Sequence, residues 1–234
     1  MNKIQQLSVG WARLVFELLE REGLDASVLF QQFDLEQAQL SNPSAYFKQD
    51  NFTRLWHEAS RLSNNPAIGL RMGENPTVSA FDAFYYSLLS SATLLEAMER
   101  TIRYQEIIGS ATIISFEKNN DGRVVILNSR GNDLPVAYQG FDAVLAFNIF
   151  STRLLTNKHI TPVYVEFIHP KPKNAEPYQN IFQCPLRFSC ECYSICYTYE
   201  DFDTPLIFAN ESMAEHHEKL VQQALKEHSA TKLS

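Results

Sequence analysis

Glycine is scarce in this chain, with eight in 234 residues. Neither G-x-G-x-x-G nor G-x-x-x-x-G-K-S/T occurs, so no segment is suited to cradle a nucleotide's phosphates on backbone N–H groups. No serine sits in a G-x-S-x-G elbow, the turn that exposes the nucleophile of an α/β-hydrolase. The longest apolar run, Ala143 to Phe147, is far too short to cross a bilayer. The opening MNKIQQLSVGWARLVF lacks the uninterrupted apolar core and cleavage site of a secretory signal. Clusters of lysine and arginine are missing too. The formal net charge is −7, and residues 1 to 40 carry Lys3, Arg13 and Arg21 against Glu17, Glu20, Glu22, Asp25, Asp34 and Glu36. A surface that neutralises phosphates needs grouped cations, so this chain by itself is expected to bind DNA poorly. A cytoplasmic location with reduced thiols is expected.

Metal and catalytic constellations are equally hard to find. Cys184, Cys190, Cys192 and Cys196 lie close together, but not at the C-x2-C spacing of common zinc sites, and no histidine follows at finger spacing. Cysteine is also a small hydrophobe often buried in strands, and that is the reading preferred. His216-His217 followed by Glu218 is not a metalloprotease helix, which needs two histidines four apart; a solvated helix face is expected there. His169, in the turn HPKP, reads as a structural histidine. Asp142 and Glu166 are isolated carboxylates in sequence. No catalytic residue, metal ligand or cofactor is expected.

The residues that are present describe a folded domain: 45% hydrophobic and 20% charged, the balance of a globular core rather than of disorder. Ile4, Leu7, Trp11, Leu14 and Leu18 form a narrow apolar seam, read as a first helix that Gly23 stops. Asp25, Asp34 and Asp50 are candidate caps for the helices after it. Phe52, Leu55, Trp56, Ala59 and Leu62 share one face. In SSATLLEAMERTIRY (Ser90 to Tyr104) Thr93 caps a helix and Glu96 reaches back to the cap. Glu96/Arg100 and Glu99/Arg103 are i,i+4 pairs, and Leu94, Leu95, Met98 and Ile102 are the buried stripe.

The period then changes. Ala111 to Glu117 and Arg123 to Asn128 are β-rich runs joined through Asp121-Gly122, whose positive φ angles suit a tight hairpin. Asp133 to Thr156, nearly apolar all round, is expected to be a central buried helix. Further strands are read at Val163 to His169, Leu186 to Cys190 and Ser194 to Tyr199. A last helix is capped by Ser212 with Glu215, its apolar face made by Met213, His217, Leu220, Val221 and Ala224. The fold class is α+β: a helical N-terminal lobe, about 1–109, and an α/β lobe, about 110–228, whose small, mainly antiparallel sheet is packed by the buried helix. The C-terminal helix closes this lobe, and 229–234 is a polar tail.

Aromatic residues cluster at Phe81, Phe84, Tyr85 and Tyr86, and again at Tyr138, Phe141, Phe147 and Phe150. Small-molecule pockets are apolar and aromatic with a few placed polar groups. Tyr85, Tyr86, Tyr138 and Arg103 are therefore the candidate effector-binding residues, Arg103 for a carboxylate. The plainer alternative is that the aromatics are core and that Arg103 pairs with Glu99.

Five stretches, in order, carry a family likeness: LWHEASRLSNNPAIGLRMG (Leu55 to Gly73), SSATL…RY, TPVYVEFIHPKP (Thr161 to Pro172), FQCPLRFSCECYSICY (Phe182 to Tyr197) and DTPL (Asp203 to Leu206). Together they resemble the N-terminal effector-binding, arabinose-binding-like domain of AraC/XylS transcription regulators, in the branch that includes ornithine- and arginine-responsive activators. Ala92 stands where that family usually has proline and Asn157 where it often has glycine; asparagine tolerates the left-handed conformation of a helix end. The resemblance implies a sensory domain and not an enzyme, binding an amino-acid-like or fatty-acid-like effector and forming a homodimer. It implies DNA contact only through a C-terminal pair of helix-turn-helix motifs, absent from this chain and expected beyond Ser234. Two other readings stay open: a stand-alone small-molecule binding protein, and an enzyme on a hydrophobic or amino-acid-like substrate.

Overall fold

The computed structural model describes residues 4–74, 76–130 and 135–231. The seam at the N-terminus is shared between two kinds of structure. Gln6–Ser8 (β1) pairs antiparallel with Tyr46–Lys48 (β2), and helix α1 begins only at Val9, running to Arg21. Ile4 and Leu7 therefore precede the helix, and of the expected seam Trp11, Leu14 and Leu18 are buried on it, together with Val15 and Leu19. Gly23 follows the helix end at φ 74°, as a left-handed stop requires.

Two of the three aspartates expected as caps do not act as such. Asp25 caps α2 (Ala26–Gln32) by accepting from the Val28 N–H at 3.0 Å. Asp34 instead takes a left-handed conformation just past that helix, at φ 54°. Asp50 lies inside the first turn of α3 (Gln49–Leu62), where Lys48 holds the cap position because β2 runs straight into the helix.

After α3 a 3-10 turn over Ile68–Gly73 packs on the long helix α7 (Tyr138–Thr156). Two glycines set that contact. A Cβ on Gly69 would lie 2.0 Å from the Gln139 carbonyl oxygen, and one on Gly73 would lie 3.0 Å from that of Ala146. The glycines of the PAIGLRMG stretch are thus explained by two close approaches to one helix backbone.

Another 3-10 turn leads to α4 (Asp82–Leu89), then α5 (Leu94–Arg103) and the short α6 (Gln105–Ile108). Thr93 caps α5 by accepting from Glu96 N–H at 3.3 Å; the Glu96 carboxylate, however, takes the Ala92 N–H at 2.7 Å rather than that of Thr93. Glu96 and Arg100 pair at 2.7 Å as expected.

Strands β3 (Thr112–Lys118) and β4 (Arg123–Ser129) form the expected hairpin. Its turn is made by Asn119, whose side-chain oxygen accepts from the N–H groups of Asp121 and Gly122. Asp121 does not share the positive φ of Gly122, where a Cβ would meet the Tyr197 carbonyl oxygen at 1.9 Å. β5 (Tyr164–Phe167), α8 (Glu176–Phe182), β6 (Leu186–Phe188), β7 (Tyr193–Tyr197) and α9 (Tyr199–Phe202) follow, each strand shorter than its β-rich run. The sheet order is β3-β4-β7-β5-β6, antiparallel throughout except for the β5–β6 pair. This is the α+β arrangement anticipated.

Helix α7 lies against this sheet and is buried along most of its length, including Asp142 and Leu145 at 0% exposure. Asp133 and Leu134, at the front of the expected helix, lie outside the described residues. Its end is the left-handed Asn157, φ 50°. One continuous apolar cluster runs from Val9 to Val221, through α1, α3, α7 and the sheet.

The last helix, α10 (Glu211–Thr231), is capped by Asn210, which accepts from Met213 N–H at 3.1 Å; Ser212 lies within the helix. Its inner face is also rotated from the apolar one expected. Ala214 and Val221 are buried while Met213 and Leu220 stay exposed, because Glu218 turns inward to ionic partners on α5.

Replacing Gly69 by alanine forces the 3-10 turn away from α7, since the obstacle is backbone and not a movable side chain. The expected loss is about 1–3 kcal/mol of unfolding free energy, the usual cost of overpacking, read as a lower urea midpoint at unchanged slope.

Candidate functional site

Between the helical elements and the hairpin lies a cavity of about 130 Å³. That is the order of the ~150 Å³ apolar cavities that admit benzene-sized guests. Its walls come from α1, α3, α4, α5, β3, β4 and α7, so its position depends on both halves of the fold. Phe81, Phe84, Phe141 and Phe147 supply aromatic surface. Phe147 stands edge-on to Trp11, with ring centroids 5.6 Å apart, and to Phe81 at 5.8 Å.

Among the described residues, no Asp, Glu, Lys, Arg or His lines this space. Several of its polar side chains are already engaged in the fold. Gln105 accepts from Ile114 N–H at 2.7 Å and donates to the Ile114 carbonyl at 3.2 Å, closing the free edge of β3. Asn148 accepts from the Tyr197 hydroxyl at 2.8 Å. Thr101 donates to the Ala97 carbonyl at 2.9 Å. Tyr85 donates to Ser151 Oγ over a long 3.4 Å. Burial pushes the Tyr85 phenol up to about 12, so it stays protonated and remains a donor.

The four residues singled out from sequence go to different places. Tyr85 is buried and lines the cavity. Tyr86, next along α4, points the other way and is exposed, its ring 5.7 Å from that of His217 on α10. Arg103 pairs with Glu218 at 3.0 Å instead of with Glu99. Tyr138 donates to the Pro66 carbonyl at 3.1 Å and lies against the His169 ring at 4.8 Å. Trp11, Gln49 and Trp56 are cavity residues that sequence reading missed. The tryptophans sit on helix faces read as core, and a glutamine at a helix start has no pattern that marks it.

Two polar clusters flank the cavity. In the first, Glu218 of α10 receives Arg100 at 2.6 Å, Arg103 at 3.0 Å and the Tyr104 hydroxyl, and Gln222 donates to Tyr104 at 3.1 Å. Burial would raise the Glu218 carboxyl, but the Tyr104 hydrogen bond and the two arginines outweigh it and hold it below the ordinary range. His217, expected on a solvated face, is half-buried beside this cluster.

The second cluster overturns the view of Asp142 and Glu166 as partnerless. Glu166 accepts from Ser194 at 2.6 Å and pairs with Arg187 at 3.1 Å. Asp142 accepts from the Tyr178 hydroxyl at 2.6 Å and faces His169 Nε2 at 3.2 Å. His169 is therefore tied into the core and is more than a turn residue. Its Nδ1 lies 3.0 Å from the Pro170 carbonyl, which can only accept, so Nδ1 carries hydrogen. One proton is then shared between Nε2 and Asp142. Burial raises the Asp142 carboxyl. Burial alone would lower His169, but its hydrogen bond to Asp142 and that residue's charge raise it.

Among the described residues, no group of three or more His, Cys, Asp or Glu is arranged to hold a metal ion, and no helix is long and apolar enough to cross a membrane. All four cysteines are free thiols.

The sign of the His169 shift fixes a pH dependence. A histidine raised above its usual 6.5 on folding stabilises fully below that value and loses the contribution as pH rises through the folded pKa. The raised Asp142 acts in the same direction, since loss of the shared proton leaves a buried carboxylate facing a neutral ring. Unfolding midpoints in urea are expected to fall from pH 6 to pH 9 in the native protein. They should fall clearly less in Asp142→Asn, which keeps the shape and removes the ionisable carboxyl.

Comparison with known proteins gives this geometry a context. Residues 23–206 match the model of the arabinose-binding domain of AraC transcription regulators, N-terminal part. The chain is 25% identical over 203 residues to the ornithine utilization regulator of Pseudomonas aeruginosa, covering 86% of this chain and 60% of that protein. The crystal structure of the transcriptional regulator CdpR from Pseudomonas aeruginosa shares the fold, with a TM-score of 0.66 at 14% identity over 94% of this chain and 65% of the other. The chain thus spans less than two thirds of either relative. With most of its length matched by the family model, it belongs to the N-terminal arabinose-binding domain family of AraC transcription regulators, and its curated relative supports the ornithine-regulator branch.

Proposed function

We propose that this chain is the ligand-sensing part of a transcription regulator, which holds a small effector in the central cavity and passes its presence to a helix-turn-helix unit through α10. The observation that carries the reading is the cavity itself, lined by the helices and by the β3–β4 hairpin in a chain of this family. The absence of a nucleophile elbow or phosphate loop in the sequence, and the regulator character of the relatives, favour sensing over catalysis. A cytoplasmic homodimer acting on DNA through the C-terminal unit is the expected working form.

The route of the signal follows from α4 and α5, each of which has two working faces. Tyr85 and Leu88 of α4 line the cavity while Tyr86 meets His217. Met98 and Ile102 of α5 line it while Arg100 and Arg103 grip Glu218. A ligand that moves the inner face of this helix pair must load the contacts with α10 on the outer face. Of the four residues chosen from sequence, Tyr85 is proposed to touch the effector and Arg103 to act in transmission; Tyr86 joins the transmission side, and Tyr138 supports the end of α7.

Native mass spectrometry of the freshly purified chain, repeated under denaturing conditions, tests the first part. A non-covalent adduct lost on denaturation is expected. If no adduct forms with cell metabolites added back, and no added compound raises the melting temperature, the sensing role is wrong. Glu218→Gln tests the second part: it should cost about 1–3 kcal/mol of stability and speed hydrogen exchange in α10. Effector affinity should stay within about threefold, because Glu218 does not line the cavity. Unchanged exchange in α10 would remove Glu218 from the proposed route.

A further inference from the structure

We infer that the effector is a neutral, mainly hydrocarbon molecule carrying a hydrogen-bond acceptor such as a ketone, ester or lactone oxygen, and not a charged amino acid; this rests on the cavity being the sensing site. Charge is the first ground. An amino acid buried here would carry an ammonium and a carboxylate into a space where no ionic side chain among the described residues meets either, and an unpaired buried charge is strongly disfavoured. The overall charge of −7 is not carried by the described residues that line the cavity.

The second ground is what remains unpaired. Gln49 is only 4% exposed and lines the cavity, yet among the described residues its side-chain amide makes no hydrogen bond. The same holds for the indole N–H groups of Trp11 and Trp56, at 7% and 3% exposure. Unlike the sealed, unpartnered Oγ1 of Thr53, these polar atoms keep some accessible surface, so a guest can reach them. Two N–H donors and an amide without partners, on residues that line an aromatic chamber with no charged side chain among the described residues, suit an uncharged oxygen. Gln105 and Asn148, which also line the chamber, are already held by Ile114 and Tyr197 and are not free to serve.

These two tryptophans are the only ones in the chain, so intrinsic fluorescence reads the cavity directly. Four probes of similar bulk separate the possibilities: cyclohexanone, methylcyclohexane, cyclohexanecarboxylate and L-ornithine. Cyclohexanone is expected to give a saturable fluorescence change and a rise in melting temperature, with an apparent affinity about tenfold above that of methylcyclohexane, the worth of one neutral hydrogen bond. The carboxylate and ornithine should give neither. Gln49→Leu should reduce the ketone's advantage to about twofold; should that variant fail to fold, Trp56→Phe keeps an aromatic ring, deletes one donor and should narrow the advantage likewise. A saturable response to ornithine or to the carboxylate overturns the neutral class while leaving the sensing site in place. Equal binding of ketone and hydrocarbon overturns the polar face. Silence from all four overturns the class, and only if the native adduct is absent as well does the sensing reading fall with it.

Discussion

Helix α7 must be buried on nearly every side, and most of the other elements answer that demand. A helix with so little charge along its length cannot face water, so the sheet covers one flank and the N-terminal elements cover the others. Several of the polar groups it carries inward are met inside the protein, although Gln139 Oε1 and Arg153 Nη2 are buried without a partner among the described residues. Asp142 finds Tyr178 and His169. Asn148 finds Tyr197. Arg153 reaches the carbonyls of Ile160 and Ile181. Thr156 bonds back to the carbonyl of Thr152 within the helix. These ties connect α7 to β5, α8 and β7, so the sheet is registered on the helix by hydrogen bonds as well as by apolar contact.

The cavity is the place where that covering is incomplete. On the flank opposite the Asp142 cluster, α7 meets α4, α5 and the hairpin through large aromatic side chains at edge-to-face angles, and such rings leave gaps where flat faces diverge. Gln105 keeps the gap from being closed by a further strand, because its amide occupies the backbone of Ile114 on the free edge of β3. Among the polar side chains that line the chamber, Gln105, Asn148, Thr101 and Tyr85 are held within the fold, while the Gln49 amide and the two indole N–H groups make no hydrogen bond among the described residues. A ligand there would contact α7 on one side and α4–α5 on the other without disturbing the secondary structure of either.

Much of this architecture can be read from local pattern, and what cannot has a physical cause. Helix α7 and the hairpin show because apolar period and turn chemistry are local properties. Thr93, Asn157 and Gly23 show for the same reason: each answers a requirement of the backbone within a few residues. Asp142, Glu218 and Arg103 do not, since their partners lie 27, 115 and more residues away. A charged residue that turns inward to such partners looks like a surface residue in sequence, which is also why the inner face of α10 lies one step round from the apolar face its sequence suggests. Tyr85 was legible as a pocket residue because buried aromatics cluster there. Its neighbour Tyr86 was indistinguishable from it until the helix phase was known.

Glu218 shows why that phase matters beyond bookkeeping of faces. An apolar residue at this position would bury α10 on α5 by contact alone, a tolerant interaction that permits sliding. A carboxylate held by two guanidinium groups and a phenol has direction: Arg100 and Arg103 project from consecutive turns of α5, and Tyr104 from its end. Bonds of this kind weaken steeply with displacement, so a small shift of α5 is opposed by the network until it yields as a unit. An interface built this way suits a helix that must stay in one of two positions, and the cavity lies directly against the other face of the helix that holds it.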